Sequence, residues 1–406
     1  MIKKYFFLFL IFVSFSSVIP LNLQAQNQGF FTLGSNNTKG AWFSLGGELE
    51  VEAVDSQNDS DLVTNTASTT NSDNSVSRFQ VDRLMLKPKI TLPLKDIYVE
   101  GELEFFGNNT GTLLKEAYAV IQLPKHLFFK VGLDDRFFMN PEDRGTEIYP
   151  LNGTAFWRDE DVGFTFGGDH PVRQGRGLWY WRTSLTNGLV LREQGVGKND
   201  VYFMLHDNRQ INDLTKNDKE YGGGLGYKYL GEKVTWDFMA FGFWSKLRNN
   251  VAVTDTVTDI DFLKEVITGY TSNSTANWFW GQNFSFDWRK FSFFSQYIFS
   301  QDGKIERHGF YIQPALKFMT QARDYLNGLE FLYRFNVLNV KEPGLADNIS
   351  TSSFTWDRQT HSVAFNIHIA EGALLRNEFH LNLEETGGSP KDVDNNEFLA
   401  QLEIRF

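Results

Sequence analysis

The feature that most limits what this chain can fold into is a two-residue alternation that returns repeatedly along it. Its clearest instance is EFLAQLEIRF, residues 397–406. Phe398, Ala400, Leu402, Ile404 and Phe406 fall on one face of an extended strand, and Leu399, Gln401, Glu403 and Arg405 on the other. Leu399 is the one apolar residue on the polar face. A helix would need a period of 3.6, so the pattern specifies a strand. Two kinds of sheet satisfy it. One rests a face on a core and wets the other; the second closes on itself, with one face in lipid and the other on a wet lumen.

The spacing of the alternating segments decides between them. Strands are expected at 42–54, 77–92, 97–106, 114–123, 126–134, 161–167, 178–186, 221–230, 234–244, 276–288, 291–300, 309–318, 328–338, 361–369, 374–384 and 397–406, sixteen in all. The second changes phase near Asp82, which predicts a bulge. Residues 201–205 also look strand-like, inside a long polar segment. The connections broadly alternate between short turns and longer polar loops, and the count is even, as a membrane barrel requires. No repeat of about 40–50 residues marks propeller blades, and no Gly/Pro/Ser-rich linker divides the chain. Mean hydropathy is only -0.33, yet 16% of residues are aromatic. Alternation hides the hydrophobicity from averaging, and aromatic girdles account for the rings. The expected fold is all-β, a transmembrane antiparallel β-barrel of about sixteen strands occupying residues 42–406 as one domain.

The N-terminus agrees with export. Two lysines precede a continuously apolar stretch over residues 5–13, and Leu23-Gln24-Ala25 ends in a small residue, so residues 1–25 read as a signal peptide. Residues 26–41 are then a short N-terminal segment, too short for a folded plug. The chain has no cysteine, which excludes disulfides and lipid attachment through a cysteine. Its net charge of -11 argues against nucleic acid as a partner. The expected location is the bacterial outer membrane, with lipid around the barrel and small hydrophilic solutes or ions within it.

Phase assigns the lumen wall. Glu48, Glu50 and Glu52 on the first strand and Glu100, Glu102 and Glu104 on the third face inward. Between them the second strand aims Arg83, Lys87 and Lys89 at the same lumen, and Arg405 joins from the last strand. Opposite charges on neighbouring strands pair across the ladder, so this is expected to be a charge-compensated wall rather than a cation-attracting stripe. Arg182, Lys228, Arg334 and Arg376 also face inward and are read as partners of acids such as Glu330, Glu378 and Glu403, or as part of an anion track. No histidine has metal-ligand spacing, no G-x-S-x-G elbow occurs, and Ser362 and His361 point to opposite faces. Neither an enzyme, a metal nor a cofactor is expected. Asp392, Asp394 and Asn396 lack the glycine of a calcium loop.

Several stretches together resemble the phosphate-selective porin O and P family. They are Arg83-Leu84 leading into YVEGELEF, then LKEAYAVI, TSLTNG, GFYIQPALKF, LEFLYRFNVLNV and the terminal LEIRF. The chain end also resembles the C-terminal signature of outer-membrane proteins, which implies an assembly role for Phe406 through the assembly machinery. The resemblance implies a homotrimeric, water-filled, sixteen-stranded pore narrowed by a third long extracellular loop folded into the lumen. On this chain that loop is residues 135–160, with Arg136, Glu142, Asp143, Arg144, Glu147, Arg158 and Asp159 at the constriction. The loop holds six acids and three arginines. A phosphate filter should concentrate positive donors there, so a weakly selective diffusion pore is expected. An anion- or phosphate-selective channel and a sealed barrel with a surface-structural or adhesive role are the alternatives.

Overall fold

The computed structural model describes residues 31–33, 42–56, 76–92, 97–106, 112–138, 145–157, 160–172, 176–196, 201–208, 219–248, 258–267, 270–319, 326–341, 357–385 and 392–406. The signal-peptide reading lies outside these residues. So do Glu142, Asp143, Arg144, Arg158 and Asp159.

Strand β1 (Phe31–Leu33) is a short edge piece paired to β2 (Trp42–Ser56). The barrel proper runs through β2, β3 (Val76–Thr91), β4 (Ile97–Phe106), β5 (Thr112–Leu123), β6 (Leu127–Asp134), β7 (Asp161–Pro171) and β8 (Gly177–Thr186). A separate hairpin follows, β9 (Leu189–Val196) with β10 (Val201–Asn208). The wall resumes with β11 (Glu220–Leu230), β12 (Val234–Lys246), β13 (Ala276–Trp288), β14 (Phe291–Asp302), β15 (Ile305–Met319), β16 (Gly328–Lys341), β17 (Asp357–Ala370) and β18 (Ala373–Glu385). The two-stranded detour means that β8 pairs directly with β11. After the short β19 (Asp392–Asp394), β20 (Glu397–Arg405) pairs with β18 on one side and β2 on the other. Every pairing is antiparallel, and sixteen strands close the barrel, as the alternation requires.

Closure runs in register from Glu48 opposite Arg405 to Ser56 opposite Glu397. Beyond the strand end, Gly47 N donates to Phe406 O at 2.8 Å and Phe406 N to Gly47 O at 2.9 Å. The ring of Phe406 lies over Gly47, where a Cβ would come within 2.6 Å of it.

The outer face is apolar and unburied within the chain: Phe79 is 66% exposed, and Leu225, Val363, Phe331 and Leu316 resemble it. Two aromatic bands flank this surface. Trp179, Tyr227, Tyr229 and Trp236 gather near the short-turn end, with ring centroids as close as 4.7 Å. Tyr221, Trp244, Trp278 and Trp280 stand near the long-loop end. On β12 the step from Trp236 to Trp244 spans about 26 Å of strand, near the height of a bilayer's apolar band once tilt is allowed for. No described helix is long and apolar enough to cross a membrane; the strands do it, because a closed sheet leaves no backbone group unpaired in lipid. The purified protein is expected to be heat-modifiable, migrating differently in detergent gels before and after boiling and resisting carbonate extraction from membranes. Recovery in a soluble periplasmic fraction would contradict this.

Details of the wall follow from the residues. Glu50 faces Arg83 and Val51 faces Val81, so Asp82 is the extra residue of a bulge where the phase change lay. A second bulge at Lys115 separates the pairs Glu102–Glu116 and Leu103–Leu114. Strands β14 and β15 run further than the sequence pattern indicated and meet at a tight turn on the long-loop side, with Gly303 at φ 69°. Their outer ends carry Gln301, Glu306 and the buried pair Arg307–Asp302, a polarity that masks the strand period. Between β12 and β13, helix α1 (Asp259–Val266) is capped by Thr258, whose hydroxyl accepts from Asp261 N at 3.0 Å. Leu263 and Ile267 from this segment pack with Leu191 of β9 and Ile305 of β15, so the loops at this end share a small core.

Candidate functional site

The described parts of the segment between β6 and β7, residues 135–138 and 145–157, lie inside the barrel, held by two anchors of different chemistry. The first is aromatic. Phe138 is 1% exposed and stacks on Phe241 at 4.1 Å, while Phe137 stacks on Phe243 at 4.9 Å and Phe156 faces Phe279. Apolar side chains that point into the lumen would be costly in water. Here they form a dry cluster because the loop covers them. Two glycines make the berth. A Cβ on Gly224 would come within 2.8 Å of the Phe137 ring, and one on Gly309 within 2.1 Å of the Asn152 amide oxygen. Arg136 lies against Phe243 and Phe279 at 5.4 and 4.8 Å, bonds the carbonyl of Phe156 at 2.7 Å and pairs with Glu220 at 3.0 Å. Placed at the constriction by sequence, it is instead buried in the loop's anchor, its charge matched.

The second anchor is polar and grips residues 145–148. Glu378 of β18 accepts from Glu147 N at 2.6 Å and from Ile148 N at 3.4 Å. Arg334 of β16 donates to Ile148 O at 3.0 Å, and Asn366 of β17 to Gly145 O at 2.9 Å. The turn uses Gly145 at φ 64°, and a Cβ there would also strike Leu332 at 2.5 Å. The Glu147 carboxylate stands 3.7 Å from Arg83 and 3.9 Å from Arg376. At the base of the loop, burial pushes the Asp135 carboxyl well above the usual carboxylate range. Glu160, Glu116 and Asp134 push the same way, against Lys115.

The wall charges form ladders of opposite sign. Arg83 grips Glu50 with both arms, at 2.7 and 2.9 Å; Lys87 meets Glu102 at 3.0 Å and Lys89 meets Glu100 at 3.1 Å. Arg405 reaches Glu48 at 3.1 Å, closing the seam, and Arg376 pairs with Glu403 at 2.5 Å. Glu52 bonds Gln80. Arg182 pairs with Asp169 at 2.7 Å, and Lys228 stands opposite Asp237. Glu330 is held by Lys317 and Asn366. For Glu104 only the backbone, on β4, is described.

Exposure separates the two sides of the lumen. Arg334, Glu378 and Glu50 are fully buried beneath the loop, whereas the side chains of Lys87 and Asp169 are 44% and 42% exposed. Among the described residues the loop's anchoring contacts run from β11 round to β3, and partly exposed lumenal charges remain on β3, β4 and β7.

One constellation escaped the sequence reading. Ser362 Oγ lies 2.7 Å from His380 Nδ1, and His380 Nε2 lies 3.0 Å from Glu378. The serine's partner is not adjacent His361 but the residue facing it across the β17–β18 hairpin. Counting back from the turn at Gly372 would have set Ser362 opposite Leu381; the register shift between His368 and Ala370 brings it opposite His380. All three side chains are buried, and the carboxylate is shared with the loop backbone. The relay therefore stiffens the second anchor.

No family model matches this chain, and no curated protein matches it. Solved structures do. The outer membrane channel DcaP of Acinetobacter baumannii superposes with a TM-score of 0.54 at 11% identity, covering 92% of this chain and 99% of that one. The trimer form of the outer membrane protein OmpT of Vibrio cholerae gives 0.52 at 8% identity, covering 91% and 100%. Salmonella typhi OmpF, solved with daunomycin, gives 0.55 at 11% identity over 93% and 100%. At these identities the likeness is one of fold. The chain has the fold of the bacterial outer-membrane porins: a closed sixteen-stranded barrel with a loop folded into its lumen.

Proposed function

We propose that the protein is an outer-membrane porin, a water-filled channel through which small hydrophilic solutes and ions diffuse passively. The observation that supports this best is the division of the lumen. A loop fixed by two anchors covers one arc, while the charged ladders on β3 to β8 keep partly exposed side chains. A sealed structural barrel would have little use for exposed ion pairs inside it. Among the described residues the Ser362–His380–Glu378 relay is buried and offers no accessible nucleophile, and we read the protein as a channel and not an enzyme. The trimer form of one fold relative and the sequence resemblance both favour a homotrimer.

On selectivity we favour a weak preference for cations. The inward arginines are matched: Arg136 by Glu220, Arg83 by Glu50, Arg376 by Glu403 and Arg182 by Asp169. The loop as a whole carries six acids against three arginines, and charges in a confined pore are screened less than on an open surface. A phosphate filter would need unmatched donors converging at the narrowest point, and Arg83, Arg136, Arg182, Arg334 and Arg376 are committed to partners in the wall or the loop.

Recordings in planar bilayers test both parts. Purified protein should give steps of ohmic conductance, with a reversal potential in a KCl gradient displaced modestly toward the cation side and unaltered by low phosphate. Absence of conductance from heat-modifiable protein would make it a sealed barrel. Strong anion preference with phosphate block would restore the phosphate-selective reading.

A further inference from the structure

The inward face of β3 to β8 repeats one unit, an aromatic ring covered by a cation that an acid already matches. Lys89 lies over Tyr98, 4.4 Å from the ring centroid, and pairs with Glu100 at 3.1 Å. Lys130 lies over Tyr118 at 3.9 Å and pairs with Asp134 at 2.6 Å. Arg182 stands between two rings, 4.8 Å from the centroid of Phe128 and 5.3 Å from that of Tyr180, and pairs with Asp169 at 2.7 Å.

Glycines shape the third unit. Gly167 faces Phe128 on one side and Arg182 on the other, and Gly226 faces Tyr180. A Cβ on Gly167 would come within 2.7 Å of the tip of the Phe128 ring, and one on Gly226 within 2.1 Å of the Tyr180 ring. Both glycines are buried, while Phe128, Arg182 and Tyr180 are each only partly so. The rings therefore lean across the neighbouring strands and cover the glycines, instead of standing into the lumen. Ring, guanidinium and ring form a flat strip laid on the wall.

Apolar rings wetted by a lumen cost free energy. The inward rings around Phe138 avoid that cost under the loop. Tyr180 reaches the edge of that cluster yet stays partly exposed, and Phe128 is outside it. The chemistry left open on the strip narrows what could use it. A cation would find the ring faces and Asp169 already served by Arg182. An anion would find the guanidinium already held. What remains is flat apolar surface with hydrogen-bonding groups at its rim: Asp169, whose side chain is 42% exposed, and Asp237, which takes the Tyr180 hydroxyl at 2.6 Å. A pyranose matches this. Its C–H face packs on π surfaces, and its hydroxyls can donate to a carboxylate or accept from a guanidinium without bringing charge.

We infer that Phe128, Arg182 and Tyr180 form a saccharide-binding platform on the lumenal wall, with Asp169 and Asp237 at its rim, for a neutral sugar in transit. This rests on the channel reading above and names one class of solute for it. The Tyr118 and Tyr98 units carry the same kind of surface round the wall toward β3.

Saturation-transfer NMR on the purified protein, in a detergent without a sugar headgroup, tests this with maltotriose, cellotriose and raffinose as probes. Wild type should transfer saturation to the ring C–H protons of at least one of them, with a Kd of about 1–10 mM, weak enough for release. Phe128→Leu keeps an apolar side chain but loses the π face, and Arg182→Lys keeps the charge for Asp169 but loses the plane. Each should weaken binding about fivefold or more. Phe331→Leu, on the outer face, should leave it unchanged. Heat-modifiability reports folding of each variant. Transfer to none of the sugars would overturn the platform, and so would equal binding by wild type, Phe128→Leu and Arg182→Lys. Binding is read without current, so the two readings fail separately. A conducting barrel that ignores the sugars refutes the platform alone, and one that binds them without passing current refutes the channel.

Discussion

A chain ending at Asn396 should yield no heat-modifiable barrel and should be degraded during export. Removing β20 takes away two ladders at once, the one with β18 from Ala373–Ile404 to His380–Glu397 and the one with β2 from Glu48–Arg405 to Ser56–Glu397. Two edges would then face hydrocarbon. Each unpaired backbone group there costs several kcal/mol, and no water can repay it. The loss exceeds the whole stability of an ordinary domain, about 5–15 kcal/mol. Phe406→Ser should act in the same direction and more mildly. It keeps the two main-chain bonds to Gly47 but removes the ring that covers that glycine, and it deletes the terminal aromatic that the chain's resemblance to exported barrels implicates in assembly. The measurement is the fraction of unboiled protein at the folded position in membranes from cells expressing each form. Normal insertion of the truncated chain would show that β2 and β18 can close without the last strand, and the account of the seam would be wrong.

The strands themselves were legible because a barrel wall imposes one rule on every residue. Inward and outward environments differ so much that phase survives loose composition, and even the Asp82 bulge showed as a change of phase. Leu399, the lone apolar residue on the inward face of the last strand, has an ordinary explanation. It lies opposite Val54, both are buried, and the lumen is covered there. The cross-strand pairs Arg83–Glu50, Lys87–Glu102 and Lys89–Glu100 were readable for the same reason, since neighbouring strands are neighbours in sequence.

What was not legible depends on distance along the chain. Glu378 holds the backbone of Glu147 across 231 residues, and no local pattern announces it. The loop elements β9 and α1 obey no lipid rule, so their polarity reads as plain loop. The berth for the inward loop left a faint signal in Gly222, Gly224 and Gly226 on the inward phase of β11, facing the inward rings Phe241 and Phe243. Inward glycines beside inward rings mean that something fills the lumen there, though not what fills it.

That berth carries the second large expectation. Phe138→Ala should raise single-channel conductance severalfold and make it noisy, with little change in barrel assembly. Phe138 is fully enclosed by Phe241, Phe243, Phe279 and Phe156. Truncating a buried phenylalanine costs about 3–5 kcal/mol. The wall does not pay that cost, because its ladders are backbone bonds and none involves Phe138. It falls on the equilibrium between docked and released loop, so even a loop docked a thousandfold in wild type, about 4 kcal/mol, would be released much of the time. Glu378→Gln attacks the other anchor. It keeps the shape but replaces a carboxylate that accepts two loop N–H groups and faces His380 with a neutral amide, a loss of about 1.5–3 kcal/mol for charge-assisted bonds. The effect should be smaller than that of Phe138→Ala and should appear as flicker between two levels. The double variant separates the anchors: if each holds the loop independently, the free-energy effects add, and if releasing one end frees the other, they do not. Unchanged conductance in folded Phe138→Ala protein would mean that the loop does not set the bore, and the passage would have to be sought elsewhere in the lumen.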